Sequence, residues 1–113
     1  MHVLLYEPDL LFSSQIESAA RRHGYEVKLI TAFPELVEAL KDPSFQIVIV
    51  NLDSIHDIDA LGALTGSPGR QLIGYYSHVE SKIAESAKRV GFDTVLPRRA
   101  FALKLNDLLG TGN

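Results

Sequence analysis

The chain has 113 residues, 46% of them hydrophobic, which suits one domain with a buried core. It contains no cysteine, and this excludes a disulfide framework, a thiolate metal site and a cysteine nucleophile. The formal charge of -3 conceals an asymmetry: residues 1–69 hold four Lys/Arg and ten Asp/Glu, whereas residues 70–113 hold seven and four.

Opposite signs in the two halves can orient a partner or a second copy of the chain. The plain alternative is ordinary solvated surface charge. No apolar run is long enough to span a bilayer and no signal-peptide pattern opens the chain, so a soluble cytoplasmic domain is expected, with no membrane partner.

Val3 to Tyr6 reads as a buried strand, closed by Glu7-Pro8-Asp9. From Asp9 to His23 the period becomes helical, with Phe12, Ile16, Ala19 and Ala20 on one face. Asp9 is the expected N-cap and Gly24 the expected stop. Tyr25 to Ile30 alternates and predicts a half-exposed edge strand. Pro34-Glu35 opens a second helix through Leu36, Val37 and Leu40, which Asp42-Pro43 ends.

Phe45 to Asp53 carries the strongest signal. Ile47 to Val50 is an unbroken, mostly β-branched run, too short for a helix, and it predicts a strand covered on both faces. Ser54 to Leu64 is expected to form a third helix through Ile55, Ile58, Leu61 and Leu64, weakened by Gly62. Gly66 to Gly69 predicts a turn. It is not a phosphate cradle, because no strand precedes it and no Lys-Ser or Lys-Thr follows. Gln71 to Tyr75 predicts a fourth strand, in which Gly74 implies a close backbone approach. A fourth helix is expected through Val79, Ile83, Ala84, Ala87 and Val90, stopped by Gly91. Thr94 to Leu96 is the fifth strand, and a final helix uses Phe101, Leu105 and Leu108 up to Gly110. The tail Gly110 to Asn113 is expected to fray.

Strands alternating with helices in this way demand a parallel sheet covered on both sides. The expected architecture is a single α/β domain over residues 1–113, doubly wound, with five strands in the order 2-1-3-4-5 and a switch point between strands 1 and 3. Glu7 and Asn51 then face each other at the carboxyl edge, where such sheets carry their chemistry. Of the adjacent tyrosines Tyr75 and Tyr76, one is expected in the core and the other exposed for contact. His2, His23, His56 and His78 lack ligand spacing and read as scattered surface residues.

The order of elements, Val3-Leu-Leu-Tyr-Glu7, Asn51 closing the central strand, Ser77 after strand 4 and Gly91-Phe-Asp-Thr-Val-Leu-Pro97 together resemble a receiver domain. That is the phosphorylated module of bacterial two-component response regulators, with a flavodoxin-like fold, and the resemblance covers nearly the whole chain. In that family an acidic pair follows strand 1; here the positions hold Glu7 and Pro8. The phosphoacceptor Asp falls on Asn51. The hydroxyl residue after strand 4 is present as Ser77. The Lys after strand 5 falls on Arg98, with Arg99 as the alternative alignment. The aromatic switch position holds Val95.

An amide is not a phosphoryl-accepting nucleophile, and Glu7 with a neutral Asn51 makes a poor site for Mg²⁺, a hard ion that wants several oxygens. The resemblance therefore implies a degenerate phosphorylation pocket of Glu7, Asn51, Asp53, Ser77 and Arg98, with no enzyme activity, no cofactor and no metal. Arg98 or Arg99 is expected to pair with Glu7 or Asp53 and fill the space of the ion. The implied function is a phosphorylation-independent interaction or dimerisation module in signal transduction or transcription regulation. The partner is another protein or a second copy, met through the fourth helix, fifth strand and final helix. That face carries Lys82, Glu85, Lys88, Arg89, Arg99 and Lys104. Two other readings stand beside it. One is residual phosphorylation at Asp53 or Asp9, against which stand a helix-cap or loop role for Asp53 and a helix-cap role for Asp9; the other is a small-molecule site on the same fold. Direct nucleic-acid binding is not expected, since the net charge is negative and no DNA-reading motif is present.

Overall fold

A computed structural model describes residues 2–64, 69–77 and 82–110. Five parallel strands form one sheet in the order β2-β1-β3-β4-β5: β1 His2–Tyr6, β2 Glu26–Ile30, β3 Phe45–Asn51, β4 Gln71–Tyr76 and β5 Thr94–Pro97. Four α-helices accompany them: α1 Leu10–Arg22, α2 Phe33–Ala39, α3 Ile83–Val90 and α4 Arg98–Gly110. Among the described residues no helix is long and apolar enough to cross a membrane.

The two-residue period of each strand divides the core into two layers. Val3 and Leu5 of β1, Ile47 and Ile49 of β3, and Ile73 and Tyr75 of β4 face Phe12, Ile16 and Ala20 of α1 and Phe101, Leu105 and Leu109 of α4. Leu4, Tyr6, Val48, Val50 and Leu72 face the other way, against Leu36 of α2, Ala87 of α3 and Leu61 from the stretch between β3 and β4. Ile47 to Val50 are at most 1% exposed. Burying each such side chain contributes roughly 1.5–3 kcal/mol, which is why this run sits at the centre of the sheet.

Helix boundaries follow local chemistry. The Asp9 carboxylate accepts from the Leu11 and Phe12 amides at 2.9 and 3.4 Å, capping α1 as its position predicts. Gly24 and Gly91 take positive φ just past the ends of α1 and α3. The β2 strand is an edge strand, paired only with β1 among the described residues.

One element differs in kind. Instead of an α-helix over Ser54 to Leu64, two 3₁₀ helices occupy Leu52–Ser54 and Ile58–Leu64, separated by an extended Ile55. The apolar residues of this stretch recur every three positions rather than at the three-and-four alternation of an α-helix, and 3₁₀ geometry stacks positions i and i+3. Asp57 starts the second 3₁₀ helix by accepting from the Asp59 amide at 3.1 Å. The α3 helix begins at Ile83, later than the period implies; Val79 and His78 lie outside the described residues, as do Gly66 to Pro68 and residues 111–113.

Arg70, to which the sequence reading gave no role, enters β4 only 8% exposed. Its guanidinium donates to the carbonyls of Phe45, Leu40 and Asp42 at 3.1, 2.9 and 2.6 Å, tying the end of α2 to the start of β3. Its planar fork meets three carbonyls that no apolar side chain could satisfy.

Gly74 brings the β4 backbone against Leu52. A Cβ added there would lie 2.8 Å from Leu52 Cδ1 and 2.9 Å from its Cγ, and Leu52 is buried. Gly74→Ala is expected to cost about 1–3 kcal/mol in urea unfolding through overpacking. In a Leu52→Ala background the same change should cost less; an equal cost in both backgrounds would remove Leu52 as the cause.

Candidate functional site

Strand parity assembles the site. Tyr6 pairs with Val50 and Asn51 with Tyr75, so Glu7, Asn51 and Tyr75 stand in one row across β1, β3 and β4 at the carboxyl edge. All three are in phase with the core layer under α1 and α4.

Glu7 is completely buried. Its carboxylate accepts the Tyr75 hydroxyl at 2.6 Å on Oε1. The Asn51 side-chain amide donates to both oxygens, at 3.1 Å to Oε1 and 2.9 Å to Oε2. The Asp9 backbone N–H donates to Oε2 at 3.1 Å. Neutral donors thus satisfy a buried acid, and no cation pairs with it among the described residues. The Asn51 Oδ1 accepts from the Asp53 amide at 3.0 Å, which fixes the amide with its NH₂ toward Glu7. The opposite orientation would set a carbonyl oxygen against a carboxylate.

Tyr75 is held in the donor role. Its ring stacks on Phe101 at 4.5 Å between centroids and meets Phe12 edge-on at 5.4 Å. Burial, then the hydrogen bond to Glu7 and the charge of that acid, push its phenol well above the usual range. Tyr6, on the opposite face, donates to the Ser54 carbonyl at 2.7 Å and holds the loop after β3.

The other expected site residues divide. Asp53 is exposed and accepts from the Ser77 amide at 2.7 Å, linking the loops after β3 and β4. Ser77 is exposed and does not cap α3, whose N-cap is Lys82. The expected pairing of Arg98 or Arg99 with Glu7 or Asp53 is corrected. Arg98 lies with its guanidinium carbon 4.0 Å from the centre of the Phe12 ring, and its Nη2 is 3.8 Å from Asp9 Oδ2. Glu7 has no need of it, because both its oxygens already hold donors, and drawing a guanidinium into that space would add a desolvation cost. Arg99 is exposed, as are Lys82, Glu85, Lys88 and Lys104; Arg89 is exposed and pairs with Asp59 at 3.1 Å. Val95 is half-buried against the second core layer.

Tyr75 is the member that sequence reasoning did not place in the pocket. The signal was available: it shares parity with Asn51 on the neighbouring strand, and a buried tyrosine needs a partner for its hydroxyl.

Mg²⁺, which the receiver resemblance implies, does not fit this donor set. A hard divalent ion needs several free oxygens. Here one carboxylate is engaged by three donors, the neighbouring position is Pro8, and the Asn51 oxygen is turned to a backbone amide. Among the described residues no cluster of three His, Asp or Glu is placed to hold a metal.

Tyr75→Phe removes one short bond to a buried acid and is expected to cost about 1.5–3 kcal/mol near neutral pH by urea unfolding. The folded-state pKa of Tyr75 lies above its ordinary 10.0, so the unfolded chain releases that proton first and stability falls as pH rises past 10.0. The difference between wild type and Tyr75→Phe should therefore shrink above that pH. A constant difference up to strongly alkaline pH would contradict the assignment.

No protein-family model and no curated protein matches the chain. Solved structures do. A response regulator receiver domain protein from Methanospirillum hungatei superposes with a TM-score of 0.78 at 14% identity, over 98% of this chain and 94% of its own. An orphan response regulator of H. pylori gives 0.78 at 13% identity, over 98% and 92%. An atypical orphan response regulator with a phosphorylation-independent regulatory mechanism gives 0.74 at 14% identity, over 97% and 96%. The chain has the fold of response regulator receiver domains.

Proposed function

We propose that this domain is a pseudo-receiver: a protein-interaction or self-association module that works without aspartyl phosphorylation. The observation that carries the reading is the Asn51 amide bonded to both oxygens of Glu7. A receiver accepts phosphorus on a carboxylate at this strand end, and an uncharged amide has no oxygen anion to offer. The hydrogen bonds that hold Asn51 also engage the acid that would otherwise help bind the metal. The similarity in fold to an atypical orphan response regulator with a phosphorylation-independent mechanism supports the same reading.

The module meets its partner through α3, β5 and α4, where Lys82, Glu85, Lys88, Arg99 and Lys104 are exposed. In this reading it acts in the cytoplasm, in signal transduction or transcription regulation, with no catalysis and no cofactor of its own. Asp53 and Asp9 are occupied otherwise, as a loop bridge and a helix cap.

Incubation with acetyl phosphate and Mg²⁺, followed by intact-mass measurement of the native protein, tests the proposal. The expected spectrum shows unmodified chain only. A phosphoryl adduct mapped to an aspartate would overturn it.

A further inference from the structure

Beside the filled pocket, but open to solvent, lies a groove of about 450 Å³. Phe12, Tyr76, Pro97 and Ala102 give it an apolar lining, and Ser77, Arg98 and Arg99 its polar rim. The volume is within the range of ligand-binding clefts. None of these lining residues is acidic.

The charge at its rim runs against helix stability. Arg98 and Arg99 are the first two residues of α4, and its first turn holds no acidic residue. The amino end of a helix carries partial positive charge and favours acids, so two arginines there are locally unfavourable. Asp9 relieves this only partly, at 3.8 Å from Arg98 with both side chains partly exposed. Arg99 has no ion-pair partner among the described residues. Departures from local rules with no internal compensation concentrate at functional positions. Leu103, four residues on from Arg99 and so on the same side of α4, is 81% exposed and adds apolar area beside the groove.

We infer that this groove docks an acidic segment of a partner protein, with carboxylates on Arg98, Arg99 and the amino end of α4, and an apolar side chain on Tyr76, Pro97 and Ala102. The inference rests on the interaction-module reading and names the chemistry of the partner. Charge complementarity sets the sign: Arg98, Arg99 and the positive end of the α4 dipole stand together at the groove. An apolar base next to them selects a segment in which acidic and aliphatic residues alternate over a purely anionic one.

The test is an NMR titration of the intact chain with a blocked peptide in which glutamate flanks leucine. Amide shifts of Tyr76, Ser77, Arg99 and Ala102 should move together. The same peptide with glutamine in place of glutamate should bind about tenfold more weakly or worse. Arg99→Glu should weaken the acidic peptide by a similar factor, whereas Lys28→Glu, an equal charge reversal at an exposed position on β2 outside the groove, should leave it unchanged. Arg99→Glu suits the helix end and should not lower the melting temperature, so lost binding is separable from lost folding. Equal binding of the two peptides, shifts centred elsewhere, tighter binding of a DNA oligonucleotide at these residues, or self-association through this face would each overturn the inference. None of those results yields a phosphoryl adduct, so failure of the groove is distinguishable from failure of the pseudo-receiver reading.

Discussion

A single buried carboxylate organises the functional edge of this molecule. Glu7 is fully enclosed, and an acid in that position is tolerated only if its oxygens are well supplied with donors. The chain meets the requirement with neutral groups: an amide from β3, a phenol from β4 and a backbone N–H from the start of α1. Three elements are thereby cross-linked at the strand ends. The same bonds that stabilise the edge engage both oxygens of the acid.

From this network a chain of contacts leads to the surface. Tyr75 stacks on Phe101 and meets Phe12, and Phe12 carries the Arg98 guanidinium on its ring. In a phosphorylated receiver a switch needs two arrangements of the region around the acceptor. Here the aromatic cluster is packed beneath a satisfied acid, and the position on β5 where an aromatic switch would sit is a half-buried valine. Under the proposed pseudo-receiver role, that arrangement presents one fixed surface rather than a pair of interchangeable ones. The groove beside Arg98 and Arg99 is the place where a fixed surface offers both charge and apolar area.

The fold was legible because the central strand and its parity leave little freedom. Ile47 to Val50 is apolar on both faces, and once it is central, right-handed crossovers place Glu7 opposite Asn51. What was not legible has specific causes. The stretch before β4 keeps a period of three over a glycine, which a search for helical faces reads as α rather than 3₁₀. The arginine partner expected for Glu7 came from treating a buried acid as needing a cation, whereas neutral donors suffice when three converge. Tyr75 was hidden in a Tyr-Tyr pair whose faces the sequence alone could not tell apart. Arg70 was invisible because its three carbonyl partners are backbone groups, which leave no trace in side-chain patterns.

The central claim is that Glu7 is complete without a metal. Anything that binds only the folded state raises its stability in proportion to the logarithm of its concentration. Thermal unfolding of the intact chain, compared between a chelator and increasing Mg²⁺ at constant ionic strength, measures this directly. The account predicts superimposable melting curves. A melting temperature that climbs steadily with Mg²⁺, and stops climbing in Glu7→Gln, would contradict it.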